Sequence, residues 1–187
     1  MPAADREKWD AKYAAADPES FGPSAVLVGL GAYLPDRGRA LDVAGGAGRN
    51  AIWLAQRGLD VTIPDVSPVG LALARRRAAD FGVAVQTLEI DLEQERLDGN
   101  PFDLIVSVCY LWRPLFAEFP RLLNAGGTLV VVQPTRKNLE RNDKPPAAYL
   151  LNEGELPRLV SGLDIVHYEE GWLADGRHDA VVVARKV

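Results

Sequence analysis

Cysteine is nearly missing from this chain: Cys109 is the single one among 187 residues. That excludes an internal disulfide framework and suits a reducing compartment. Histidine is scarce too, limited to His167 and His178. No group of His, Cys and carboxylates has metal-ligand spacing, so no metal is expected. No apolar run approaches the roughly 18 residues that cross a bilayer, so no membrane partner is expected. The opening stretch MPAADREKWDAKY lacks the apolar centre of a secretory signal, and a cytoplasmic location is the expectation. Positive charge is also short: 21 Lys and Arg against 26 Asp and Glu leave a net charge of -5. Phosphate neutralisation needs concentrated Lys and Arg, so nucleic acid is not an expected partner. The two basic clusters, Arg75-Arg76-Arg77 in a helical stretch and TRKNLERNDK in a loop, read as solvated surface.

What is present is an ordinary globular composition, 48% hydrophobic and 25% charged, of a length that fits one domain. Residues 5–16 read as a short helix with Trp9 and Tyr13 stacked at i, i+4. DPESFGP breaks it, and a second helix is expected over 24–34, ended by Pro35. The pattern then turns to alternating strands and helices. The strands ALDVA, DVTIP, AVQTLEI, FDLIVSV and GTLVVVQ are short, apolar and β-branched. Helices start near Gly48 and near Ser67-Pro68, an N-cap followed by a proline suited to the first helical position. Such alternation predicts a parallel sheet with helices on both faces. LDIVHYEEG and HDAVVVARKV leave no room for a crossover helix and should pair antiparallel, AVVVA buried on both sides and IVHYEE at the edge. The expected architecture is α/β: a Rossmann-like, doubly wound, seven-stranded sheet of five parallel strands plus a C-terminal antiparallel hairpin. It would form one domain over 1–187, with 1–36 a helical lid or cap and 37–187 the core.

LDVAGGAGRN places Gly45, Gly46 and Gly48 at the carboxyl end of the first strand, just before a helix. Open α/β sheets bind ligands there. Bare backbone permits close approach, and helix-start amides favour negative charge. Asp65 ends the second strand, where nucleotide-binding sheets hold ribose hydroxyls, and Asp91 follows the third. Asp42, Asp65 and Asp91 thus share one end of three neighbouring strands. Gly46-Ala47-Gly48-Arg49-Asn50-Ala51 also satisfies the loose G-x-G-x-x-G/A fingerprint, which leaves a dinucleotide open.

The stretches WDAKY, LDVAGGAGRNAIWLAQRGLDVTIPDVSPVGLALA, EIDLEQ, FDLIVSV, LLNAGGTLVVV and LNEGELPRLVSGLDIVHYEEG cover nearly the whole chain. Together they resemble the class I S-adenosylmethionine-dependent methyltransferases, in the small bacterial branch related to tellurite-resistance and thiopurine methyltransferases. The resemblance implies S-adenosyl-L-methionine as cofactor and S-adenosyl-L-homocysteine as product. It implies that Asp42 and the turn of Gly45, Gly46 and Gly48 face the methionine part. Asp65 would hold the ribose hydroxyls and Val66 would pack on adenine, while Asp91 would bond the adenine amino group beside the Leu92 backbone. Trp9 and Tyr13 would form a lid, or merely dock a helix on the core. Arg49 would reach the cofactor carboxylate or only solvate its helix. The family's first turn glycine is Ala44 here, and Pro64 requires the ladder hydrogen bonding to end there.

Methyl transfer from a sulfonium is an in-line displacement, to which a protein contributes alignment and exclusion of water. No general base stands out. The acceptor should bind beyond the fourth strand, near CYLWRP, making Cys109, Tyr110 and Trp112 pocket candidates. Cys109 itself reads as a buried, inert hydrophobe. His167 and His178 read as surface or packing residues. The Asn/Asp-Pro-Pro-Tyr signature of amino-group nucleic-acid methyltransferases is absent. TRKNLERNDKPP is either a mobile border of the acceptor site or a disordered connection. The expected reaction is methylation of a small molecule of the thiol, chalcogen oxyanion or hydroxyl class. A non-catalytic nucleotide-binding module and a dinucleotide-binding oxidoreductase are the alternatives.

Overall fold

The computed structural model describes residues 3–15 and 22–187; residue 16 and most of the DPESFGP break lie outside them. The seven-stranded sheet comprises β1 (Gly38–Val43), β2 (Leu59–Asp65), β3 (Gln86–Glu89), β4 (Phe102–Val108), β5 (Leu123–Pro134), β6 (Asp164–Trp172) and β7 (His178–Arg185). Their order is β3-β2-β1-β4-β5-β7-β6. β1 to β5 are parallel, and β7 runs antiparallel to both β5 and β6. The chain order reverses between β1 and β4, which opens a crevice at their carboxyl ends. The ladder from β1 to β2 stops at Leu41 opposite Thr62, so Pro64 needs no donor on that side. On the other side β2 stays paired with β3 to Asp65.

Strand alternation sorts the side chains into two cores. Ala40, Val61, Ile63, Leu104, Val106 and Val130 meet helices α2 (Ala25–Gly29), α3 (Arg49–Gln56) and α4 (Pro68–Asp80) through Leu27, Leu54, Leu71 and Ala74. Asp42 shares the parity of Ala40, so its carboxylate is turned toward α3. On the opposite face Leu41, Ile105, Leu129 and Val131 meet Phe116, Phe119, Leu151 and Leu156. The cover there is thinner than a helix layer: a 3-10 turn at Arg113–Ala117 and the single turns α5 (Phe119–Leu122) and α6 (Leu156–Leu159). Pro114, Pro120 and Pro157 occupy the first turns of these pieces, where a missing N–H costs nothing.

Several expectations need correction. The helix expected over 24–34 is one α-turn, α2, followed by a 3-10 turn at Gly31–Tyr33. Gly29 and Gly31 weaken the continuation. TRKNLERNDKPP is not a disordered connection. It forms a 3-10 turn at Arg136–Glu140, with buried Asn138 donating to the carbonyls of Thr135 at 3.0 Å and His178 at 2.5 Å. His178 takes the packing alternative expected for it: it is buried, its ring nitrogen 2.8 Å from the Thr135 hydroxyl. Arg77 is not surface either. It is buried on the Ala74–Ala78 side of α4 and donates to the Ala47 carbonyl at 3.1 Å, bracing the glycine turn. Among the described residues no helix is long and apolar enough to cross a membrane.

Candidate active site

The first helix, α1 (Ala3–Ala14), lies against α4 above the crevice. Three contacts seat it. Ser67, the N-cap of α4, accepts from the Gly70 amide at 3.0 Å and donates to Asp10 at 2.5 Å. Arg6 pairs with Glu89 at the end of β3. The Tyr13 ring, stacked on Trp9 at 5.7 Å, fills the space that β-carbons on Gly46 and Gly70 would take. Part of the bare backbone in LDVAGGAGRN therefore serves the protein's own Tyr13.

Under α1 lies a cavity of about 560 Å³, within the usual range for small ligands. Asp42, Gly45, Arg49, Asp65, Val66, Leu92, Trp9 and Tyr13 line it, as do Cys109 and Tyr110. Gly46 and Gly48 shape the turn from behind, with φ of 53° and 77°. Ala44 adopts φ 50° at the position where a glycine would be unstrained. Gly45 is bare for a different reason. A β-carbon there would come within 2.6 Å of the Asp42 carboxylate.

The two acids at the head of the crevice are buried and braced by backbone. Asp42 accepts from the Ala51 amide of α3 at 3.0 Å. Burial raises its pKa to about 7, against the pull of that hydrogen bond. Asp65 accepts from Gly46 N at 2.9 Å and from Ser67 N at 2.8 Å. Burial raises its pKa too, with the amides of Ser67, Gly46 and Val66 opposing. Asp65 also lines the cavity, where its carboxylate can accept from a donor. Asp91 is arranged otherwise. Its oxygens accept from Glu93 N at 3.0 Å and Gln94 Nε2 at 2.9 Å, and its neighbours Ile90 and Leu92, not its carboxylate, line the cavity.

Cys109 corrects an expectation. It is exposed rather than buried, and holds φ 59° just past β4. The enclosing walls still desolvate the thiol and raise its pKa, with Arg177 opposing from 3.8 Å. Trp112 does not line the cavity; it packs on the Phe116 and Phe119 core. No residue of TRKNLERNDKPP lines it either. Reasoning from sequence missed Lys12, which faces the cavity from α1 with its ammonium 4.2 Å from the Trp9 ring. The signal was there: Lys12 is three residues after Trp9 and shares its helical face.

This sheet order and the crevice at the ends of β1, β2 and β4 define a class I methyltransferase fold. Residues 40–127 match the methyltransferase domain family. TehB from Haemophilus influenzae superposes with a TM-score of 0.72 at 21% identity, over 97% of this chain and 67% of that one. The N-methyltransferase NodS from Bradyrhizobium japonicum, solved with S-adenosyl-L-homocysteine, gives 0.73 at 18% identity over 97% of both chains. Demethylmenaquinone methyltransferase of Thermus thermophilus is 35% identical over 103 residues, 51% of this chain. The chain covers 46% of the length of that relative. Residues 40–127 thus match a methyltransferase domain, within a fold similar to that of TehB.

Proposed function

We propose that this chain is an S-adenosyl-L-methionine-dependent methyltransferase acting on a small molecule. The observation that carries the reading is Asp65: a buried carboxylate at the end of β2, braced by two amides and opening on the cavity. The donor set fits the cofactor. Asp65 is placed for vicinal hydroxyls, while Val66, Ile90 and Leu92 offer apolar wall to a flat base. Asp42 and Gly45 form the floor beside the glycine turn, with Gly46 and Gly48 supporting it. Asp91 would act through the chain direction it imposes on Ile90 and Leu92. When bound, the cofactor supplies a sulfonium methyl that leaves by in-line displacement. The protein's own work is alignment and exclusion of water, worth up to about 7–11 kcal/mol in well-oriented systems. Trp9 and Tyr13 on α1 exclude water, making residues 1–36 a cap on the core of 37–187. Cys109 and Tyr110 border the acceptor, which we place in the thiol, chalcogen oxyanion or hydroxyl class.

Calorimetric titration tests this. S-adenosylhomocysteine should bind, NAD should not, and Asp65→Ala should weaken binding by about 10-fold or more through a lost charge-assisted hydrogen bond. Binding of NAD alone would return the chain to the oxidoreductases. Binding of S-adenosylhomocysteine without methyl product from any of the three acceptor classes would leave a nucleotide-binding module.

A further inference from the structure

Asp179 is a buried acid just outside the cavity. It lies in β7 opposite Pro134, the last residue of β5, and so at the same end of the sheet as the crevice. Its side chain is fully buried, and among the described residues neither carboxylate oxygen accepts a hydrogen bond. The preceding residue, His178, is pinned by Thr135 and Asn138, so Asp179 stands on a fixed frame. A buried carboxylate without donors costs free energy and calls for an explanation.

The cation beside it is Arg177. Nη1 of Arg177 is 3.4 Å from Asp179 Oδ2 and 3.8 Å from Cys109 Sγ, while Nε donates to Asp175 at 3.0 Å. Cys109 lines the cavity, and its thiol feels both Arg177 and Asp179. Arg177 thus bridges the cavity wall and the buried acid, and covers Asp179 without hydrogen-bonding it. Its side chain keeps 38% exposure, which leaves the guanidinium room to shift. Burial raises the Asp179 pKa against the pull of Arg177, making it a stronger base than an ordinary carboxylate.

An acid and a cation side by side select among acceptors. A hydroxyl donates its hydrogen to the carboxylate and accepts from the guanidinium with the same oxygen. A fully ionised chalcogen oxyanion has no hydrogen to donate and meets the carboxylate as a like charge. A thiol donates and accepts only weakly. A protonated amine suits Asp179 but not the guanidinium.

We propose that the acceptor is a hydroxyl compound, seated beyond Cys109 between Arg177 and Asp179, and that Asp179 takes its proton. The proposal rests on the cofactor reading above and narrows its acceptor to one class. The hydroxyl oxygen bonds to the methyl carbon as the carbon–sulfur bond breaks, and that bond's electron pair goes to sulfur. The hydroxyl proton passes to an Asp179 oxygen, which releases it to water after the methyl ether and the neutral thioether leave. Arg177 orients the attacking oxygen.

The test uses two phenols and a thiol on the full chain. Phenol holds its proton at mildly alkaline pH, whereas 4-nitrophenol and thiophenol are largely ionised there. Wild-type protein with S-adenosylmethionine should methylate phenol. Asp179→Asn should lower kcat on phenol by about 100-fold or more, the scale of general-base catalysis. The same variant should leave 4-nitrophenol turnover unchanged or raised, and S-adenosylhomocysteine affinity unchanged. Arg177→Met should instead raise KM for both phenols by about 10-fold, the scale of one charge-assisted hydrogen bond. Equal losses on the two phenols in Asp179→Asn overturn the proposal, as does wild-type turnover of thiophenol but not phenol. Unchanged KM values in Arg177→Met overturn it as well, and that measurement needs no Asp179 variant. Wild-type protein that binds S-adenosylhomocysteine yet methylates no probe also overturns it, and leaves the cofactor reading standing. Failure to bind S-adenosylhomocysteine removes both.

Discussion

The ring of Tyr13 lies over Gly70 so closely that a β-carbon on that glycine would stand 2.7 Å from it. Gly70→Ala therefore sets two effects against each other. Alanine in place of glycine favours the helix by at most about 1 kcal/mol, less in the first turn of α4 where Gly70 sits, whereas the clash with a ring held on a separate helix costs roughly 1–3 kcal/mol. Tyr13 can leave without disturbing the sheet. The expected outcome is faster amide exchange in α1, with the urea midpoint of the core unchanged or raised. A lowered core midpoint with α1 still protected would contradict this.

Ala44 adopts φ 50°, a left-handed conformation that costs an L-residue about 1–2 kcal/mol. Glycine removes that cost and returns about 0.4–1 kcal/mol through the entropy of the unfolded chain. Ala44→Gly should thus stabilise the protein by roughly 0.5–1 kcal/mol, read as a raised urea midpoint at constant slope.

Asp42 has its pKa raised from 3.8 to about 7 by burial. Between those values the folded state holds a proton that the unfolded chain has released, so stability falls as pH rises from about 4 to 7. Asp65 and Asp179, also raised by burial, act in the same direction. Asp42→Asn should flatten, without abolishing, the decline in denaturant midpoint over that window. An identical slope in the variant would remove Asp42 as its source.

Cys109 is solvent-accessible and is the single cysteine of the chain. Iodoacetamide should give one adduct, at a rate that keeps climbing at pH values where an ordinary thiol has levelled off, because the cavity walls desolvate the thiolate and raise its pKa. S-adenosylhomocysteine should slow the reaction by narrowing the cavity. Alkylation indifferent to the ligand would place Cys109 outside the cofactor's reach.

The strands and their end were legible because a buried parallel strand is an unbroken apolar run, and Asp42 and Asp65 stand out as acids closing such runs. Helix 24–34 failed because its apolar content was real while Gly29 and Gly31 cut its continuity. Arg77 failed for another reason. A triplet of arginines looks solvated, yet Arg77 falls three residues after Ala74 and one before Ala78, both buried, and the 3.6-residue period puts it on their face. Trp112 was placed by proximity in sequence to Cys109, but the backbone beyond Cys109 turns toward the Phe116 side of the sheet. What sequence could not supply was the second client of the glycines. That Gly46 makes room for Tyr13, from a segment some thirty residues upstream, is a tertiary fact.

Thr135, Asn138 and His178 are knotted by mutual hydrogen bonds at the root of β7, and Arg141 caps Trp172 at 3.7 Å on the partner strand. The stem of the hairpin is therefore clamped below its tip, where Leu173 N bonds to Arg177 O at 2.7 Å. Substitutions confined to residues 174 and 175 at the tip should therefore leave the sheet register intact, because it is held from beneath.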